Sequence, residues 1–210
     1  MKNFTILLFL IISLLSANAF ALPLDKIVAA VSDEAITLSE LHFEYFLLNP
    51  DKEFPANINT LGIRTLIEQI IQRKLVLKDA ERLSLVDISD KDVASEFVNF
   101  KKRFGISEKY ELFLKKTGFS DNYVKGRVRE KLIISSFLEK RVAITAFVRT
   151  DEVEGYFREN FQMYKGKQLK DAAEEIREKL FALKFQTRLE EYIHELKQRY
   201  PVIIIGDDGK

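Results

Sequence analysis

Past the first two dozen residues, apolar positions recur at three- and four-residue intervals, the mark of helices that bury a face, and only short runs near the two ends break that rhythm. The first run, Ile27-Val28-Ala29-Ala30-Val31, is β-prone. The turn-like Ser32-Asp33-Glu34 and a second short stretch, Ala35-Ile36-Thr37, follow it. Thr37 or Ser39 then caps a first helix with Glu40 in its opening turn, and Asn49-Pro50 ends it. Its stripe is Leu38, Leu41, His42, Tyr45 and Leu48, but Phe43, Phe46 and Leu47 lie off that stripe. A helix apolar nearly all round either has two neighbours or keeps one side for a ligand.

Residues 60–85 predict a long second helix whose apolar band, Leu66, Ile67, Ile70, Ile71, Leu75, Val76 and Leu77, is too wide for a one-sided surface helix and places it centrally. Ser89-Asp90-Lys91-Asp92 opens a third helix to about Phe104, with Gly105 as its stop, and Ser107-Glu108 opens a fourth that ends at Gly118. Ser120-Asp121 opens a fifth, whose seam of Val124, Val128 and Leu132 runs on through Leu138 and Val142. Thr150-Asp151-Glu152 opens a short sixth to about Asn160, its acids at the positive end of the helix dipole. From Leu169 to Tyr200 runs a last helix whose stripe of Leu169, Ala173, Ile176, Leu180 and Leu183 changes phase to Phe185, Leu189, Tyr192 and Leu196, so it leaves one neighbour for another. Pro201 ends it, and Val202-Ile203-Ile204-Ile205 reads as a strand. A lone strand cannot satisfy its backbone, so its partner is the other isolated β run. The expected fold is mainly α, with a small sheet pairing residues 27–37 with 202–205.

Ahead of all this, Lys2 precedes an apolar run from Phe4 to Leu15, and small residues follow in Ser16-Ala17-Asn18-Ala19-Phe20-Ala21. This is the pattern of a secretory signal over residues 1–21, cleaved after Ala21 or Ala19; the run is short for a bilayer span of about 20 residues. The remainder, 22–210, has no span of its own and reads as a single unit. The chain has 33 Lys plus Arg and 32 Asp plus Glu, and losing Lys2 leaves 32 of each. Such balance gives no field to draw nucleic acid, and the basic Lys101, Lys102 and Arg103 and the ladder Lys125, Arg127, Arg129, Lys131 lie among acids. Zero Cys removes thiol chemistry and cysteine metal sites, and two His, His42 and His194, both on apolar stripes, make a histidine metal site or triad improbable. No phosphate-binding glycine loop, nucleophile elbow or zinc-protease motif occurs. No catalytic residue, cofactor or metal is therefore expected. What is abundant is Phe, with 17 copies, which suits a binding surface more than a reaction centre.

The order of these features resembles a known family. Asp25-Lys26-Ile27-Val28-Ala29-Ala30-Val31-Ser32-Asp33-Glu34-Ala35-Ile36-Thr37 is similar to the strand–turn–strand that opens the SurA-type periplasmic chaperones, with Ser32 where that pattern usually has Asn. The likeness continues through Leu66–Ile71, Ile88–Val93, Phe104–Ser107 and Tyr123–Ile134. Thr150-Asp151-Glu152-Val153-Glu154-Gly155-Tyr156-Phe157 resembles the segment that precedes the family's isomerase domain, and Ile176–Leu196 with Val202–Ile205 resembles the helix and strand that return to the chaperone core. Between Asn160 and Leu169, where such chaperones carry parvulin-type prolyl isomerase domains of roughly a hundred residues each, this chain has only a short linker over 161–168, flanked by an N-terminal helical part (22–160) and a C-terminal helix and strand (169–210). The resemblance implies a periplasmic, ATP-independent chaperone for unfolded clients, outer-membrane β-barrel precursors among them, with the outer-membrane assembly machinery as a possible acceptor. The short linker implies no isomerase activity. An envelope adaptor with one folded partner, or a divergent isomerase, are the alternatives. Surplus apolar positions, rather than any motif, single out Phe43, Phe46 and Leu47 on the first helix and Phe97, Phe100, Tyr110 and Phe113 on the middle helices as peptide contacts.

Overall fold

A computed structural model describes residues 25–205, so the expected signal at 1–21 lies outside the described residues. Strand β1 (Ile27–Val31) pairs antiparallel with β2 (Glu34–Thr37), Val31 facing Glu34 and Ala30 facing Ala35, and a register shift falls between Ile27 and Ala29. Ser32 makes the turn at φ +53°, the left-handed region in which Asn is at ease and Ser is not, and its N–H donates to the Pro201 carbonyl at 2.7 Å. That carbonyl leads into β3 (Val202–Ile204), which lies antiparallel on the other side of β1, with Val202 facing Val31 and Ile204 facing Ala29. The sheet order is β2-β1-β3, so the expected pairing of the two end runs is present. Ile205 falls just past the strand, although its N–H still reaches the Val28 carbonyl at 2.9 Å.

Helices follow from their caps. The Thr37 hydroxyl accepts the Glu40 N–H and opens α1 (Leu38–Leu48). The long α2 (Leu61–Leu83) stops at Ser84, left-handed at φ +50°. Ser89 opens α3 (Asp90–Lys102) through the Asp92 N–H, and α4 (Ser107–Thr117) ends on Gly118 at φ +74°. Helix α3 stops two residues earlier than its apolar pattern suggests, because the chain already turns at Arg103 and Gly105 takes φ +77°. Ser120 caps α5 (Asp121–Arg141), a 3₁₀ turn spans Ala143–Ala146, α6 covers Thr150–Glu159 and α7 covers Leu169–Arg199.

Three apolar clusters result. The largest packs the inner face of the sheet, Val28, Val31 and Ile36, against Ile67, Ile70, Ile71 and Leu75 of the central α2, Phe137 of α5 and Leu196 of α7. A second, aromatic cluster gathers Phe43 of α1, Phe97 and Phe100 of α3, Tyr110 and Phe113 of α4, and Val124 and Val128 of α5. A third joins Val148, Val153 and Tyr164 to Ala172 and Ile176 of α7. Helix α7 does change neighbours: its first half lies on the third cluster, its last turns on the first. Leu183, placed on its stripe by spacing, is exposed, because it falls in the stretch between the two.

Charged side chains join the pieces. Glu40 and Glu44 of α1 both receive Arg73 of α2, Arg127 of α5 reaches Glu44 at 2.6 Å and also pairs with Glu130, and Lys74 approaches Glu40 at 3.6 Å. Helix α1, apolar nearly all round, thus sits between the sheet core and the aromatic core and is held there by three cations. At the far end of α2, Asp79 is 1% exposed and accepts hydrogen bonds from Tyr192 (2.6 Å), Arg82 (2.8 Å), Arg199 (2.8 Å) and Tyr200 (3.2 Å), which fastens the end of α7 to the core.

Candidate functional site

The aromatic cluster is closed on one side and open on the other. Phe43 meets Phe113, Phe119 and Tyr123 edge-on at centroid distances of 5.2, 5.5 and 5.2 Å, which locks α1 against α4 and α5. Lys101 lies 4.8 Å and Lys125 5.2 Å from the Phe97 ring, covering the cluster from outside. On the opposite side, the end of α1, the Pro50-Asp51 turn, the α3–α4 corner and the outer face of α4 leave a cleft of about 200 Å³. Its floor is Phe46, Leu47, Phe104 and Phe113, and Leu112, 52% exposed, forms a wall. The α3–α4 corner supplies Phe104 because the turn at Gly105 folds that ring back onto Phe113 (5.1 Å) and Tyr110 (5.3 Å).

The rim carries Arg103, Lys109 and Lys116 against a single acid, Asp51. Lys116 donates to the Pro50 carbonyl at 2.6 Å while its ammonium lies 5.5 Å from the Phe46 centroid, so one side chain both shapes the turn and polarises the floor. Among the described residues, Arg103, Lys109 and Lys116 form no ion pair.

Of the seven side chains expected to contact peptide, Phe46 and Leu47, half-buried, and Phe113, buried, lie in the cleft floor. Phe43, Phe97, Phe100 and Tyr110 are packed inside, because the α3–α4 hairpin folds its aromatic face onto α1 and α5. Phe104, Leu112 and the three rim cations were not singled out by spacing. The signal was available in α4, where Lys109, Leu112, Phe113 and Lys116 are separated by helical intervals and share one face.

Two tyrosines of the aromatic cluster are shifted away from neutral pH. Burial and a 2.8 Å hydrogen bond to Asp121 push the Tyr110 hydroxyl well above its ordinary range, and burial pushes Tyr123 up to about 12. His42 is lowered by burial, partly offset by Asp25, and its ring lies edge-on to Phe54 at 4.0 Å, the packed role expected of it. His194 is exposed rather than on a buried stripe, beside Gln198 at 3.0 Å. Three members of the basic ladder are paired, Arg127 with Glu44 and Glu130, Arg129 with Asp90, and Lys131 with Glu96 at 2.7 Å, while Lys125 lies over the Phe97 ring.

A second apolar surface, wider and shallower, lies where the 3₁₀ turn faces the middle of α7. Ile144, Phe147 and Phe181 are exposed there around a groove of about 520 Å³. Among the described residues, no helix is long and apolar enough to cross a membrane.

Over 149 residues the chain is 26% identical to Chaperone SurA of Pseudomonas aeruginosa, a match that takes in 67% of this chain and 34% of that protein. The chain is a distant homologue of SurA. It spans about a third of SurA's length. No family model matches the chain.

Proposed function

We propose that this protein is an ATP-independent periplasmic chaperone that holds unfolded or extended polypeptides, precursors of outer-membrane β-barrels among them, and that it does so without prolyl isomerase activity. The observation that carries the reading is the open aromatic cleft on a chain homologous to a chaperone. Rings present large contact area at low rotamer cost and tolerate varied sequences, which suits clients that share only exposed apolar residues. Phe46 and Leu47 would contact a client directly, Phe113 would form the floor, and Phe43, Phe97, Phe100 and Tyr110 would hold those three in place. The surface at Ile144, Phe147 and Phe181 would serve a second stretch of the same client. Export is supported by Lys2 and the apolar run to Leu15. Absence of isomerase activity is supported by the brief connection over residues 160–168 between α6 and α7. Without a nucleotide cycle, release follows from modest affinity or from transfer to an acceptor, for which the outer-membrane assembly machinery is the candidate.

The test is light scattering of several unrelated denatured proteins diluted into a stoichiometric amount of the purified chain. Suppression of aggregation across most of them is expected. Suppression of none, with crosslinking in cells capturing a single folded partner, would replace the chaperone by an adaptor. A proline-limited refolding assay checks the other half, and clear acceleration of the slow phase would refute the absence of isomerase activity.

A further inference from the structure

We infer that the cleft between α1 and α4 selects client segments in which an aromatic residue is flanked by acidic side chains. The inference rests on the chaperone reading and names what that site prefers. Size gives the first part. A cavity of about 150 Å³ lined by apolar side chains accommodates one benzene ring, whereas drug-sized ligands need about 300 Å³ or more. A cleft of about 200 Å³ floored by Phe46, Phe104 and Phe113 therefore takes a single ring, which can pack against these aromatic side chains.

Charge gives the second part. The chain as a whole is balanced, with 33 bases and 32 acids, and many of its cations pair with carboxylates, Lys78 with Asp33, Lys184 with Glu152, Lys197 with Glu68 and Arg127 with Glu44. Around the cleft the pattern differs. At its rim three cations face one acid, and among the described residues none of the three is held in a close ion pair, although Arg103 acts on Glu96 at longer range. Lys109 and Lys116, at an interval of two helical turns, stand on either side of Leu112, and Arg103 comes from the α3–α4 corner. Lys116 spends one of its three ammonium hydrogens on the Pro50 carbonyl, leaving two for a ligand. A ring seated on the floor would place its flanking side chains at this rim, where carboxylates gain partners and ammonium groups meet like charge.

The experiment uses fluorescence anisotropy with the full chain and short labelled peptides of Gly and Ser that carry one Phe. The Phe is flanked by Asp, by Asn or by Lys, and a control has Ala for Phe between Asp residues. The Asp-flanked peptide should bind about tenfold more tightly than the Asn-flanked one and the Lys-flanked one most weakly, a spread that two or three rim pairs can supply. The Ala control should bind poorly, and the spread should shrink at high salt. K109E/K116E, two exposed changes verified to melt like the wild type, should reverse the order, while K170E on α7 should leave it intact. Equal binding of Asp- and Lys-flanked peptides, an order unmoved in K109E/K116E, or binding only when the Phe is the final residue with a free carboxylate would overturn the inference. If all Phe peptides bind alike and Leu112→Asp abolishes that binding, charge selection fails and the chaperone reading stands. If no Phe peptide binds and aggregation proceeds unhindered, both fall.

Discussion

Replacing Asp79 by Ala should be a severely destabilising polar change, and its cost can be worked from the four groups it leaves behind. The carboxylate is almost wholly enclosed and receives the Tyr192 hydroxyl at 2.6 Å, Arg82 and Arg199 each at 2.8 Å, and the Tyr200 hydroxyl at 3.2 Å. The two arginines are about half exposed and can turn to water, so their loss is small. Tyr192 is buried, and stranding its hydroxyl costs about 1–3 kcal/mol. The emptied space under α7 adds roughly another 1 kcal/mol by the usual cavity relation. A total of about 3 kcal/mol corresponds to a Tm lower by roughly 6–12 °C for a chain of this size. Thermal melts by circular dichroism measure it directly, with Tyr192→Phe as the partner variant, expected to cost about 1 kcal/mol. The double variant should show that the two losses overlap by at least about 1 kcal/mol. The pH dependence has a definite sign. Burial raises the Asp79 pKa, but the hydrogen bonds from Tyr192, Arg82 and Tyr200 outweigh it, so the folded value lies below the unfolded one. A depressed carboxylate contributes stability above its unfolded pKa, near 4, and loses it as the pH falls through the folded value, so the gap between wild type and Asp79→Ala should be full at pH 7 and shrink below about pH 4. An Asp79→Ala protein that melts within about 2 °C of the wild type at pH 7, or a gap that widens in acid, would refute this account of how α7 is fastened.

Three further outcomes follow from the same structure. Ending the chain at Tyr200 removes β3 with the bonds from Ser32 N–H to Pro201 and from Ile205 N–H to Val28; a loss of about 2–3 kcal/mol is expected by urea denaturation, and an unchanged midpoint would count against the sheet. Ser32→Asn relieves a left-handed residue at φ +53° and should raise Tm by a few degrees, since it adds roughly 0.5–1 kcal/mol. Arg73→Ala leaves Glu40 and Glu44 without their shared cation between α1 and α2 and should cost about 3 kcal/mol, whereas Arg73→Lys should recover only part of it because one ammonium cannot reproduce the guanidinium fork.

Local chemistry made most of the fold readable. Ser89, Ser120 and Thr37 each carry out the cap that their position before an apolar-periodic stretch announces, and Gly118 takes the left-handed stop that only glycine takes without strain. The sheet was readable for a different reason: two isolated β runs had no other partner, and backbone groups need one. The cleft was less accessible. Phe43 and Phe46 are three residues apart on one helix and look alike in sequence, yet one is enclosed and the other lines an opening, because α4 crosses α1 at Phe43 and passes beyond Phe46 only through Lys116. Which ring is covered depends on where two helices cross, and no periodicity within either helix encodes that. The rim is not encoded in the sequence for a related reason: in a chain this rich in both charges, whether a lysine is paired is settled by three-dimensional neighbours. Lys78 and Lys109 cannot be told apart until Asp33 is seen beside the first.

The placement of β3 against β1 bears on when the sheet becomes complete. Residues 32–201 lie between the two strands, so a chain that emerges N-terminus first, from a ribosome or through a membrane pore, presents β1 long before its second neighbour exists. Until then the sheet has a bare edge at Val28 and Ser32, the kind of edge to which other chains add themselves. Closing so long a loop is slow relative to forming the helices within it, so α1, α3, α4 and α5, with the cleft they build, can assemble around their aromatic cluster while the sheet waits. The order of synthesis would thus ready the aromatic cleft before the sheet is closed, and β3 completes the sheet only after residues 32–201 have emerged.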